Sequence, residues 1–160
     1  MAAFFRKLFG DKQNAPATSE MPESIEQGMQ WQAEDFVRAF SQPDAPIDGS
    51  CLDYSSASLD EVDRLLDNVH CHGQELPDDL HFLISAYVFE VARREFGGRY
   101  LRGDEKDPFV LVMGKEDASV GLCVMSKVRG RAINGNEDNI PFFYAGIAPA
   151  IDRGVPATLI

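Results

Sequence analysis

The sequence predicts one α+β domain, with N-terminal helices followed by a small antiparallel sheet and a C-terminal helix. Three observations carry this. Apolar residues recur at spacings of three and four as far as Phe96, where Gly97 and Gly98 intervene. Two short runs rich in β-branched and apolar residues follow, Phe109–Met113 and Ser119–Met125. The helical spacing then returns from Ile140. Helices first, strands next and a helix last describes segregated α+β architecture rather than alternating βαβ units. The chain has 160 residues, 44% of them hydrophobic and 26% charged. That suits a single domain, large enough to bury roughly 68–70% of its unfolded surface without disulfides or metal.

Residues 1–20 are read as a flexible segment with a short amphipathic start, and 21–160 as the domain. Phe4, Phe5, Leu8 and Phe9 fall on one face of a short helix that would dock on a membrane or a partner, or pack loosely on the domain. Arg6 and Lys7 interrupt the apolar run, so it does not read as an export signal. Residues 11–20 are small and polar, a tether. The first helix is expected over 22–40, with Ile25, Met29, Gln32, Phe36 and Phe40 on one face. Ser41 to Pro46 ends it, because proline disfavours helix at the residue before it.

The second helix should open at Ser58, which with Glu61 three residues on makes a capping box. Leu59, Val62, Leu65, Leu66 and Val69 then share one face, and Asp60, Asp63 and Asp67 the opposite one. The third helix, over 77–96, carries Leu80, Leu83, Ile84, Tyr87, Val88 and Val91 on one stripe and Phe82 and Phe89 on another. A helix apolar on two sides belongs at the centre of a core. Gly97 and Gly98 supply its left-handed end, and Glu90 and Arg94 read as a surface ion pair. Residues 99–102 form a short strand, the two β-rich runs pair as a hairpin across 114–118, and Asn134-Gly135 marks a turn. The last helix spans about 140–153, capped by Asp138 or Asn139, with Pro141 in its first turn. Pro149 should kink or shorten it.

Charge narrows the function classes. With 15 Lys and Arg against 26 Asp and Glu, the net charge is -11. This argues against nucleic acid as a partner, since such binding rests on cations displacing counterions, and against anionic membrane. Residues 44–79 hold ten acidic side chains and one basic, Arg64. The acidity therefore gathers on the second helix and its flanks, a surface suited to a basic protein partner or simply to solvent. Cys51, Cys71 and Cys123 are odd in number and widely spaced, as expected of reduced thiols in a cytoplasmic protein.

Catalytic patterns are weak. His70, Cys71 and His72, with His81, form the one cluster of metal-ligating residue types, and neighbours two apart do not share a helix face. Cys71 has histidines beside it only in sequence, and Cys123 sits in an apolar run. No nucleophile elbow and no glycine-rich phosphate loop occurs.

Several segments taken together resemble a group of small, functionally uncharacterised bacterial α+β proteins, some linked to toxin-immunity loci. They are Leu52-Asp53-Tyr54-Ser55, Ser58-Leu59 with Val62-Asp63 and Leu66-Asp67, Ala86-Tyr87-Val88 with Glu90-Val91, Gly97-Gly98-Arg99-Tyr100, and Asp138-Asn139-Ile140 with Phe143-Tyr144. The resemblance covers about residues 52–144 and implies no catalytic residue. The resulting expectation is a non-enzymatic, cofactor-free immunity-type or adaptor protein that meets a basic partner through Asp60, Asp63 and Asp67. The alternatives are a metal-binding protein or hydrolase built on the histidine cluster, and a peripheral-membrane or assembly factor using the N-terminal phenylalanines.

Overall fold

Side chains of Ser24 and Gln27 take up free backbone amides at the start of the first helix. Ser24 Oγ accepts from the Gln27 amide at 3.1 Å, and Gln27 Oε1 accepts from the Glu23 amide at 2.6 Å. The computed structural model describes residues 22–160, so Phe4, Phe5, Leu8, Phe9 and the proposed tether lie outside the described residues. Helix α1 (Ile25–Phe40) buries Met29, Ala33, Phe36 and Phe40. It packs along α3 (Asp78–Phe96), with the Phe36 and Tyr87 rings 5.1 Å apart.

Helix α2 (Leu59–Cys71) buries Leu59, Val62, Leu65, Leu66 and Val69 as its spacing requires. The expected capping box does not form. Ser56–Ser58 is a 3-10 turn running straight into the helix, so Ser58 already has helical backbone angles. Its hydroxyl donates to the Ser55 carbonyl at 2.6 Å and accepts from the Tyr87 hydroxyl at 2.7 Å. Glu61 turns to the Asp48 amide and to Arg64. Ser55, in extended conformation, does the capping instead.

Helix α3 is central, buried on several sides, and stops at Gly97, whose φ of 72° is the left-handed conformation expected there. Strands β1 (Arg99–Arg102), β2 (Phe109–Lys115) and β3 (Ala118–Leu122) pair antiparallel in sequence order. A fourth strand, β4 (Ala157–Leu159), adds parallel to β3, so the sheet is mixed rather than purely antiparallel. Tyr100, Leu111, Met113, Val120 and Leu122 face the helices and are buried. Leu101, Val110, Val112 and Ser119 alternate with them on the open face.

Two expectations need correction. The second β-rich run leaves the sheet at Leu122, and Val124–Asn134 is a helix, α4. Val124, Val128 and Ala132 recur at spacings of four and are buried, as are Met125 and Arg131, so the apolar pair Val124-Met125 is a first helical turn, not the end of a strand. The last helix divides into α5 (Ile140–Ala145) and α6 (Ile147–Asp152). Asn139 Oδ1 caps α5 through the Phe142 amide at 2.9 Å. Pro149, lacking an amide, then falls in the first turn of a new helix, where that donor has no intrahelical acceptor anyway. Among the described residues no helix is long and apolar enough to cross a membrane.

Candidate functional site

The carboxylates expected to meet a partner are split by the structure. Asp60 is exposed. Asp63 is half-buried rather than on the solvent face. It takes both arms of the Arg131 guanidinium, Nε to Oδ1 at 2.9 Å and Nη2 to Oδ2 at 3.0 Å. Asp67 accepts from the same Nη2 at 2.8 Å, and that contact holds its carboxyl below the usual carboxylate range. Arg131, on α4, is only 2% exposed. Two of the three acids thus already hold a cation of this chain.

The histidine cluster does not converge. The His70 ring meets the Ala132 carbonyl on α4 at 3.3 Å. His72 turns back to the Asn68 carbonyl of its own helix at 2.7 Å. His81 lies on α3 and faces the start of α4, while Cys71 Sγ points to Asp67. Among the described residues no group of three or more His, Cys, Asp and Glu is placed to hold a metal ion. Cys123 is buried, and burial pushes its thiol up to about 11, the reverse of what a nucleophile needs. Glu90 is not on the surface either. It is fully buried, gripped by Arg93 at 2.7 and 2.8 Å, and accepts from the Tyr100 hydroxyl at 3.2 Å. Arg94, its expected partner, does meet it, Nε to Oε2 at 3.9 Å, and its guanidinium also lies over the Tyr54 ring, 3.4 Å from the centroid.

The structure does assemble a trough where the inner face of the sheet runs out. Phe109 begins β2 on the same side as Leu111, and Phe82 of α3 sits 6.2 Å from it, ring to ring. Two open hollows adjoin at Phe82. The first, about 430 Å³, lies between the start of α1 and β1–β2, floored by Ile25, Met29, Phe82 and Phe109, with Arg102 5.0 Å above the Phe109 ring. The second, about 650 Å³, lies between α3, α4 and the β1–β2 connection, lined by Phe82, Pro108, Met125 and Ile133. Asp78, Glu105, Lys106 and Arg129 stand around it. Ile133 is 67% exposed, although large and apolar.

The wall between α3 and α4 is held by a short polar chain. His81 Nε2 lies 2.7 Å from the Met125 carbonyl, so that nitrogen carries the proton. Its Nδ1 then accepts from Arg129 Nη2 at 3.1 Å, and the same Nη2 donates to Asp78 at 2.9 Å. Burial, opposed by the Met125 contact and reinforced by the Arg129 charge, holds the imidazole below its ordinary pKa. With both ring nitrogens engaged, His81 fixes the wall and is not a free general base. The opposite wall is equally built. Asp104 Oδ1 accepts from the Lys106 and Asp107 amides, both at 2.9 Å, and buried Asp107 accepts from the Ser126 amide at 3.0 Å. Asp107 thereby supplies the cap that α4 lacks locally.

Sequence reasoning placed Phe82 on a second apolar face of α3 but missed the α4 contribution. Met125, Arg129 and Ile133 recur every four residues, a helical stripe that lines the trough. That spacing is the signal available in the sequence. No family model, curated protein or solved structure matches the chain, so the reading of this trough rests on its geometry.

Proposed function

We propose that this protein is a non-enzymatic binding module that takes an apolar, basic segment of a partner protein into the trough. The observation that carries this reading is the rigid-walled hollow pair itself, floored by Met29, Phe82, Phe109 and Met125. Aromatic and methionine side chains are the types enriched at the centres of protein interfaces. Each large apolar side chain seated there gains about 1.5–3 kcal/mol. A net charge of -11 attracts a basic segment and speeds encounter. The acidic α2 face serves that long-range attraction rather than the contact itself, because Arg131 already grips Asp63 and Asp67. An adaptor or an immunity-type inhibitor is the biological role this activity suits.

The test is affinity capture from the native cell with four versions of the full chain: wild type, Ile133→Asp, Phe142→Asp and Asp60→Lys. Ile133→Asp places a charge in the trough at an exposed position, and Phe142→Asp alters a residue that is 82% exposed and lines neither hollow. The proposal predicts a stoichiometric partner retained by wild type and by Phe142→Asp and lost by Ile133→Asp. Mapping by hydrogen exchange should place the partner's protected segment in an apolar, Lys- or Arg-bearing stretch. Capture indifferent to Ile133→Asp but lost in Asp60→Lys would return the contact to the acidic helix. Metal in the eluate without a protein partner would overturn both.

A further inference from the structure

We infer that strand β4 pairs antiparallel with β4 of a second copy of this chain, joining two four-stranded sheets into one continuous sheet. The sheet has two edges, and the chain treats them differently. At the β1 edge the Tyr100 amide donates to the Glu26 carboxylate of α1 at 3.5 Å, and Arg99 and Arg102 place charges beside it. Covering and charging an edge are the usual ways of keeping other strands off it. The β4 edge has neither. From Gly154 to Ile160 no side chain is charged, in a chain where 26% of residues are. Thr158 is exposed, and Val155 and Ile160 are 54% and 72% exposed although large and apolar. The backbone there also has bonds to offer. The Cys123 amide donates to the Leu159 carbonyl at 2.9 Å, and Thr158 lies beside Gly121 in the parallel register. Backbone groups alternate in direction along a strand, so Ala157 and Leu159 face β3 while Thr158 turns its N–H and C=O outward. Among the described residues neither group finds a partner.

Charge and pattern together name the occupant. Two chains of net charge -11 repel, and an edge without charged side chains is where they meet at least electrostatic cost. The nearest charges in sequence, Asp152 and Arg153, are opposite in sign. A basic segment of the kind the trough suits finds no counter-charge on this edge. A twofold axis at Thr158 sets the strand against itself. Thr158 then faces its own counterpart, and each donates to the other's carbonyl. The Ile160 amide, next in the alternation, donates to the Pro156 carbonyl of the second copy. Pro156 has no amide to return, and that gap falls at the outer end of the ladder, where an edge strand tolerates it. On the open face the two threonines adjoin, and each Ile160 covers the other copy's Pro156. Neither hollow of the trough includes a residue of β3 or β4, so the dimer leaves both troughs open. The inference does not depend on what the trough binds.

Sedimentation velocity of the full chain over a concentration series is the test, with amide hydrogen exchange as its local readout. One short strand a side makes a small interface of the transient class, so a Kd on the order of 10 μM is expected. As concentration rises through that range, the Thr158 and Ile160 amides should gain protection, while that of Leu159, already turned to β3, should change little. Thr158→Pro removes the donor of both central bonds, at a position where the monomer's edge strand accepts proline because that N–H faces solvent. It should weaken dimerisation about thirtyfold. Thr158→Lys sets like charges face to face across the axis and should act in the same direction without touching the backbone. Thr158→Val, neutral and β-branched, should leave the dimer intact, as should Phe142→Asp, which alters an exposed ring outside β4. A chain that stays monomeric up to about 1 mM, a hundredfold above the expected Kd, overturns the inference. So does a dimer that survives both Thr158→Pro and Thr158→Lys, or one that forms without protecting the Thr158 amide.

Discussion

Arg131 on α4 and Asp63 on α2 form a two-armed ion pair at 2.9 and 3.0 Å, with the guanidinium 98% removed from solvent. Asp63 Oδ1 also accepts from the Ile140 amide at 2.9 Å, so one carboxylate fastens α2, α4 and the start of α5. The value of such a pair lies in not breaking it. Asp63→Ala should lower stability by about 3–5 kcal/mol, because it leaves the buried Arg131 cation with only the half-exposed Asp67. Asp67→Ala, at a half-exposed carboxylate, should cost about 1 kcal/mol or less. Adding Arg131→Met to Asp63→Ala should recover a large part of the loss, since the stranded charge is then gone. Urea unfolding of the four proteins measures this. A double variant no more stable than Asp63→Ala alone would contradict it.

Glu90 and Tyr100 make a second buried polar junction. Glu90→Gln loses the charge that Arg93 grips and should cost about 2–3 kcal/mol, while Tyr100→Phe should cost about 1 kcal/mol. Burial raises the pKa of Tyr54, Tyr87, Tyr100 and Tyr144 above 10.0, and for Tyr100 and Tyr144 a neighbouring glutamate adds to it. A phenol raised in the folded state keeps its proton there after the unfolded chain has lost it. Stability is therefore intact below pH 10.0 and declines as pH rises beyond it. Phenolate absorbance should stay suppressed in the native protein and appear together with unfolding. Early, reversible ionisation of all four tyrosines without loss of structure would refute the burial account.

The sign is opposite at the acid end for His81. Its folded pKa lies below 6.5, so the unfolded chain takes the proton first as pH falls. Stability is full above 6.5 and drops as pH descends toward the folded value, where Nδ1 would have to carry a proton against Arg129. Asp78 and Asp107 also face this ring and partly offset the loss. His81→Gln should flatten the fall in stability as pH drops below 6.5. The depressed carboxylates, Glu26, Asp67 and Asp138 among them, act only at lower pH. Unfolding midpoints across that window test the assignment, and an unchanged slope in the variant would remove His81 from it.

What the sequence revealed follows from how locally each element is specified. Helices α1 and α3 and the β2–β3 hairpin carry their own periodicity, and α3 ends at a glycine that only a left-handed turn explains. Helix α4 was hidden because its cap is not beside it. Asp107, across the sheet, receives the Ser126 amide, and the Cys123 amide donates to the Leu159 carbonyl of β4. In the middle of α4 a Cβ at Gly130 would run into the Asp138 carboxylate, which Lys127 and Asn134 hold in place, so glycine suits that close approach. Strand β4 has three residues and exists only through its pairing with β3. Of the site, Phe82 was legible as a second apolar face. Ile133 and Met125 were not, because their stripe became visible only once α4 was a helix. The acidic face was misread for a related reason: Arg131 lies 68 residues from Asp63, and no local pattern announces the pair.

Trough substitutions should separate binding from folding. Ile133→Asp is expected to change unfolding free energy by no more than about 0.5 kcal/mol, since the side chain is largely in water already. Met29→Ala, at a position 2% exposed, should instead cost about 2–5 kcal/mol. Denaturant curves decide this, and a marginally folded Ile133→Asp would show that α4 depends on that side chain for more than recognition.

The most direct test follows the methyl resonances of three methionines as the captured partner, or its protected segment, is added to the full chain. Met29 and Met125 each line one hollow, whereas Met113 is buried in the inner face of the sheet and lines neither. Binding in the trough predicts saturable shifts at Met29 and Met125 with Met113 little changed, and their loss in Ile133→Asp. A partner that binds while Met29 and Met125 stay unmoved would contradict the trough as the recognition surface.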